Sequence, residues 1–222
     1  MREIFCFPRI VSSENLSCRV GVLPQDFLHL RAQRNASLSA ASQLKYLHLA
    51  YFSKPIADRT VYRTIRNIRP GHLVGIGLGC GQFVRNMIQL ASEVTRRDQV
   101  RFTGIDLFEL RPSKVPGMSL KQAHSLLASL KARVKLVPGD PFSALARTAN
   151  SLPDTDLVVI RADQDPGSLE RAWYYLPRML HDQSVVLIET TGGDGSSGTY
   201  QSLNLTDVHR LAGAHLTRRR AA

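Results

Sequence analysis

Between residues 74 and 81 the chain reads Val-Gly-Ile-Gly-Leu-Gly-Cys-Gly, with an apolar run before it and a helix-like stretch after it. Glycines at every second position let a strand turn sharply into a helix while its backbone N–H groups stay open to a ligand. Some 25 residues further on, Phe102-Thr103-Gly104-Ile105-Asp106 reads as a second strand ending in a carboxylate. Nucleotide-binding α/β sheets use that arrangement to hold a ribose. Together the two features point to a site for an adenosine-containing small molecule.

The surrounding pattern supports a sheet to carry such a site. Short apolar strands are expected over 72–76, 101–105, 134–137, 156–161 and 184–189. Between them lie helical patterns over 82–95, 119–131, 141–150 and 166–180, the second opened by Ser119 as a cap. Strict alternation of this kind means a parallel sheet with helices on both faces. With the ligand motif on its first strand, the expectation is a Rossmann-like open α/β sheet of order 3-2-1-4-5, with its site at the carboxyl ends of the strands. Upstream, 39–52 and 56–68 read as two helices, separated by Ser53-Lys54-Pro55 and stopped by Pro70-Gly71. Residues 1–35 show no sustained period. Downstream, 191–198 reads as a flexible loop and 205–212 as a short helix capped by Thr206. The tail 218–222 is expected to be disordered. The expected organisation is an N-terminal, basic and mainly helical extension (1–70), a Rossmann-like domain (71–198) and a short C-terminal segment with a basic tail (199–222).

Charge separates the same regions. Of a net +11, residues 1–70 carry eleven Lys/Arg against four Asp/Glu, whereas 71–190 are nearly balanced at fourteen against twelve. A basic flank can meet nucleic acid. However, Arg59, Arg63, Arg66 and Arg69 are dispersed, with little aromatic interleaving beyond Tyr62, and a solvated helix face is the favoured reading. No apolar run approaches the ~18 residues of a membrane helix. The first residues are too interrupted for a signal peptide, so a cytoplasmic location is expected. Cys6, Cys18 and Cys80 form no Cys-x-x-Cys pair, and no cluster has the spacing of a structural zinc site.

The loop also discriminates among nucleotides. A dinucleotide fingerprint needs G-x-G-x-x-G, but from Gly75 the third position is Cys80 and from Gly77 it is Gln82. This disfavours a nicotinamide-dependent oxidoreductase. The spacing Gly77-x-Gly79-x-Gly81 instead resembles motif I of class I S-adenosylmethionine-dependent methyltransferases, and the resemblance extends strand by strand over most of 72–190. It implies S-adenosylmethionine as cofactor, with Gly77, Gly79 and Gly81 approaching its methionine end. It further implies Asp106 on both ribose hydroxyls, Leu107 and Phe108 against the adenine face, and Asp140 near the adenine amine. The segment 156–163 looks like the fourth-strand motif of small-molecule O-methyltransferases, which implies a small-molecule acceptor. By position alone, Asp163 is then the candidate catalytic base.

Plainer roles stand beside these. The glycines could simply make a tight turn, Asp106 could be a turn residue, and Asp140, before Pro141 and a helix, fits an N-cap equally well. One of Asp163 and Asp165 could cap the following helix. His181 reads as a C-terminal cap, and Trp173, Tyr174 and Tyr175 as core.

Three departures from the family matter. The acid that usually stands two residues before the first motif glycine, and helps anchor the cofactor's amino group, is replaced by Gly75. The aspartate that ligates a cation in metal-dependent members is replaced by Arg161, which cannot shed its proton to bind one, so no metal is expected. After Glu189 too little sequence remains for the usual sixth and seventh strands, although 200–205 could supply one short edge strand. The alternative function is therefore a catalytically inactive Rossmann-like binding or interaction module.

Overall fold

The computed structural model describes residues 40–95, 99–112, 115–191 and 198–221. The unpatterned segment 1–35 and most of the 191–198 loop lie outside the described residues. Two helices come first: α1 (Ala40–Leu47), continuing as a π-helical turn over His48–Phe52, and α2 (Asp58–Ile68). There follow β1 (His72–Ile76), α3 (Gln82–Val94), β2 (Val100–Asp106), α4 (Leu120–Leu127), β3 (Ala132–Pro138), α5 (Pro141–Thr148), β4 (Thr155–Ile160), α6 (Pro166–Ala172), β5 (Leu180–Thr190), β6 (Thr199–Leu203) and α7 (Leu205–Ala221). The sheet order is β3-β2-β1-β4-β5-β6. The first five strands are parallel, as expected, and β6 adds an antiparallel edge beside β5.

Alternation along each strand divides the core in two, because successive side chains point to opposite faces. Leu73, Phe102, Leu157, Val159 and Leu187 face one layer, where they meet Val61, Tyr62 and Ile65 of α2 and Val84, Met87 and Ile88 of α3. Val74, Ile76, Ile105, Val158, Ile160 and Val186 face the other, against Leu145 of α5, Trp173, and Val208 of α7. Burial on both faces is why the strands read as short apolar runs. Gly75 belongs to this packing: a Cβ there would stand 3.1 Å from Phe102 Cζ. The Phe102 ring of β2 packs closely over that position.

Caps account for several boundaries. Ser119 and Gln122 form a capping box at α4. Asp140 and Asp165 cap α5 and α6, each followed by a proline in the first turn. At α7 the cap is Asn204, whose Oδ1 accepts from Asp207 N at 2.9 Å, and not Thr206. That helix continues to Ala221, through the tail for which disorder was expected. The 166–180 pattern is also broken: α6 ends at Ala172, a 3-10 turn spans Leu176–Arg178, and Leu180 already belongs to β5. Pro177 lacks the N–H that a continuing helix needs. His181 consequently lies on a strand, with Nε2 3.2 Å from Asp156 Oδ1, rather than at a helix end. Trp173 is buried, but Tyr174 turns outward at 39% exposure.

Asp156 fastens the entry to the central strand. Its Oδ2 accepts from the backbone N–H groups of Gly71 and His72, both at 2.8 Å. Hydrogen bonds to a charged acceptor are each worth about 1.5–3 kcal/mol. Asp156→Ala is expected to cost about 3 kcal/mol in urea unfolding, and an unshifted midpoint would show that the β1 entry holds without it.

Candidate functional site

A helix that precedes a strand and packs antiparallel to it brings its N-terminus to that strand's carboxyl end. α2 does this for β1, so Asp58 meets the loops that follow β1, β4 and β5. Between them lies a cavity of about 570 Å³. Its lining includes Asp58 and Tyr62 of α2, Gly79 and Gly81 of the loop, Phe83 of α3, and Arg161, Asp163 and Glu189.

The glycine loop forms one wall. Gly77, Gly79 and Gly81 all have left-handed backbones, with φ of +84°, +55° and +79°. At Gly77 a Cβ would fall 2.8 Å from Asp163 Oδ1 and 2.9 Å from Arg161 Cβ, so only glycine lets this loop lie against the one after β4. At Gly79 nothing lies within 4 Å of the Cβ position, leaving the backbone open. The loop ends at the N-terminus of α3, where orphan N–H groups favour an anionic or polar ligand. This half of the site is a cradle suited to the cofactor that the sequence motif implies.

Asp106 supports the loop from beneath. It is 4% exposed, and its Oδ2 accepts from Leu78 N at 2.7 Å. Its Oδ1 accepts from Leu107 N at 2.7 Å and also pairs with Arg111 Nη2. Arg111 Nη1 further donates to Pro116 O at 2.6 Å and stands 3.5 Å from Asp163 Oδ2. Its Nε is buried with no hydrogen-bond partner among the described residues. Gly77, Asp106, Leu107, Phe108 and Asp140 are not among the described residues lining the cavity. Phe108, 4% exposed, packs into the core with Phe102. Asp140 caps α5 and accepts from the hydroxyls of Ser143 and Ser168. Burial alone would raise its pKa, but those hydrogen bonds outweigh it and bring the value to about 2.

At the opposite wall stands a charge cluster centred on Arg161. Its Nε is 3.0 Å from Glu189 Oε2, and its Nη1 is 3.2 Å from Asp58 Oδ1 and 3.5 Å from the Tyr200 hydroxyl. The guanidinium also lies 5.0 Å from the centre of the Phe83 ring. Burial would depress its pKa, yet Tyr200, Glu189, Asp58 and Asp163 together raise it. Asp58 goes the other way: burial pushes its carboxyl up to about 6, against the pull of Arg161 and with the added push of Glu189. Burial likewise raises the phenols of Tyr62 and Tyr200, so both stay neutral. Asp163, at 37% side-chain exposure, has Oδ1 accepting from Gln164 Nε2 at 2.7 Å.

Arg161 was singled out in the sequence, but Asp58, Tyr62, Tyr200 and Arg111 were not anticipated at the site. Asp58 left a signal: with Val61, Tyr62 and Ile65 it completes the buried stripe of α2, and an acid in that stripe needs a partner. Among the described residues, no group of three His, Cys, Asp or Glu side chains is placed to hold a metal ion, and no helix is long and apolar enough to cross a membrane.

No family model matches the chain, and no curated protein is similar to it in sequence. Solved structures that resemble it include several methyltransferases. One, MycE of the mycinamycin biosynthetic pathway, in complex with magnesium and S-adenosylhomocysteine, is 19% identical over 71% of this chain, with a TM-score of 0.38. The chain spans only 36% of that longer protein. A methyltransferase from Geobacter sulfurreducens is 17% identical over 73% of this chain and 76% of its own, with a TM-score of 0.42. A precorrin-6y C5,15-methyltransferase from Geobacter metallireducens is 18% identical over 73% and 74%, with a TM-score of 0.42. At such identities and scores the likeness adds nothing about activity, and the fold assignment rests on the strand order itself.

The Asp58 carboxyl has a direct consequence for stability. Its pKa rises from 3.8 to about 6 on folding, so between those values the folded chain binds a proton more tightly than the unfolded one. Its contribution is fully present below pH 3.8 and is lost as pH rises through about 6. Asp58→Asn, which removes the ionisation and leaves Arg161 paired with Glu189, is expected to melt higher than the wild type above pH 7 and no higher below pH 4. Parallel melting curves at all pH values would contradict this.

Proposed function

We propose that this chain is a class I S-adenosylmethionine-dependent methyltransferase acting on a small-molecule acceptor. The observation that carries the reading is the left-handed glycine loop opening into the cavity while a buried Asp106 ties it to the next strand. The bound cofactor supplies a methyl group on a sulfonium, already a good leaving group. The chain's task is then orientation and, where the acceptor still holds its proton, its removal. Gly77, Gly79 and Gly81 receive the methionine end. Asp106 takes the ribose hydroxyls with Leu107 beside it, which requires Arg111 to give up its place on the carboxylate. Asp163, exposed in the cavity next to the loop, is the group positioned to accept the acceptor's proton. Arg161 and the carboxylates around it form the far wall.

Calorimetric titration with S-adenosylhomocysteine tests the reading. The wild type is expected to bind, and Asp106→Ala to bind at least roughly tenfold more weakly, since a charge-assisted bond contributes about 1.5–3 kcal/mol. The same variant is expected to lose stability as well, because Arg111, at 7% side-chain exposure, is left without its buried partner. Absence of binding by the wild type would leave the inactive module as the standing interpretation.

Arg161 also bears on metal dependence. Its fixed positive charge occupies the position of the family's cation-ligating aspartate, and it pairs with Asp58 and Glu189, the nearest carboxylates. Magnesium is expected neither to raise the melting temperature nor to be needed for transfer. Activity abolished by a chelator and restored by magnesium would contradict this.

A further inference from the structure

The loss of the family's acid at Gly75 raises a physical question: what receives a cationic amino group above the glycine loop? Gly75 has no side chain to do so, and a Cβ there would press on the Phe102 ring at 3.1 Å. The cavity nevertheless contains a carboxylate with capacity to spare, carried by a different element. Asp58, at the N-terminus of α2, uses Oδ1 on Arg161 at 3.2 Å, and Arg161 is its one ion-pair partner among the described residues. Beside it, Arg161 spends Nε on Glu189 and Nη1 on Asp58 and Tyr200, out of five donors arranged as a planar fork. Both residues line the cavity together with Gly79 and Gly81.

Charge and geometry agree on what fits. Two carboxylates, Asp58 and Glu189, share one guanidinium, so the cluster carries an excess negative charge in a largely buried place. An excess charge in such surroundings is stabilised by a partner of opposite sign, and an arriving cation supplies one. A simple amine would meet the carboxylates but leave the remaining guanidinium edge unused. An α-amino carboxylate carries both charges on neighbouring atoms. It can exchange an internal pair, whose own groups are 3.2 Å apart, for two pairs with itself.

We propose that Asp58 and Arg161 form a clamp for an α-amino carboxylate, with the Asp58 carboxylate receiving the ammonium and the Arg161 guanidinium receiving the carboxylate. Asp58 thereby replaces, from the N-terminal helix, the acid missing from β1. The inference rests on the proposed function for its first source of that group, the amino-acid end of the methyl donor. A free amino acid serving as methyl acceptor presents the same chemistry and is the second.

Two nucleosides separate these cases: S-adenosylhomocysteine, which carries the α-amino carboxylate, and methylthioadenosine, which shares the thioether and adenosine but lacks it. If the clamp holds the donor, the wild type prefers the former by roughly tenfold or more, as expected for charge-assisted contacts. Asp58→Asn then removes most of that preference while leaving methylthioadenosine binding unchanged. The preference should also fade as pH falls through about 6, where Asp58 takes up a proton among Arg161, Glu189, Tyr62 and Tyr200, and that fading should be absent from the variant. Arg161→Lys, which keeps the charge and loses the fork, serves as the second variant and should give an intermediate preference. If the clamp holds the acceptor, the nucleoside preference is unchanged in Asp58→Asn. One of the standard amino acids then binds the wild type saturated with S-adenosylhomocysteine, and the variant does not bind it. Unchanged nucleoside preference together with no Asp58-dependent binding of any amino acid overturns the clamp. Failure of the wild type to bind either nucleoside sinks the methyltransferase reading instead, and the amino-acid titration of the free protein then decides the clamp alone.

Discussion

The carboxylate of Asp106 is the contact on which the rest of the site depends. It is buried at the end of β2, it accepts the N–H of Leu78 across the strand boundary, and it pairs with Arg111. A left-handed loop has few ways to satisfy its own backbone groups, and an unpaired N–H at Leu78 would be costly inside the fold. The same carboxylate therefore shapes the loop and offers the group that would hold a ribose. A carboxylate has about four acceptor sites, of which Leu78, Leu107 and Arg111 occupy three, so two hydroxyls fit only where Arg111 gives up its place.

The second constraint is an exchange between packing and charge. Without a side chain, Gly75 lets the Phe102 ring lie across β1, in the layer built by α2 and α3, and charge gathers on the neighbouring elements instead. Asp58 from α2, Arg161 after β4 and Glu189 on β5 converge at the same end of the sheet. A cluster of this kind stabilises a fold poorly, since burial raises the energy of each charge about as much as pairing lowers it. The elevated pKa of Asp58 expresses that imbalance directly. The imbalance sits in the wall of an open cavity.

Much of this was legible in the residues, for reasons specific to each part. The parallel strands announce themselves because both faces are buried, so 72–76 and 156–161 read as apolar runs between helical patterns. The strand order follows from the glycine loop lying on the first strand and from the handedness of parallel crossovers. Boundaries were less legible where local and tertiary effects compete. Pro177 splits what reads as one amphipathic helix, and the residues after it join β5 because β4 offers a pairing edge. The glycine loop and Asp106 follow one another closely enough in sequence to be singled out there. Asp58 and Arg111 were not, because their partners lie 103 and 5 residues away on other elements or across a loop, and only the folded sheet brings those charges together. An acid within an apolar stripe, at position 58, was the single trace that the pattern held.

Arg111 links the two halves of the site energetically. Its guanidinium closes on Asp106 and reaches toward Asp163, while its Nε remains buried without a partner. A buried donor left unsatisfied costs on the order of 1–3 kcal/mol, which partly offsets the gain from the ion pair. Releasing the guanidinium is thus less costly than the pairing alone implies. Asp163, which lines the cavity, lies 3.5 Å from the same fork. The charge beside Asp163 is therefore tied to the pairing of Asp106. One guanidinium lies between the carboxylate that holds the loop and the carboxylate that lines the cavity, and any group that competes for Asp106 competes for the partner of Asp163 as well.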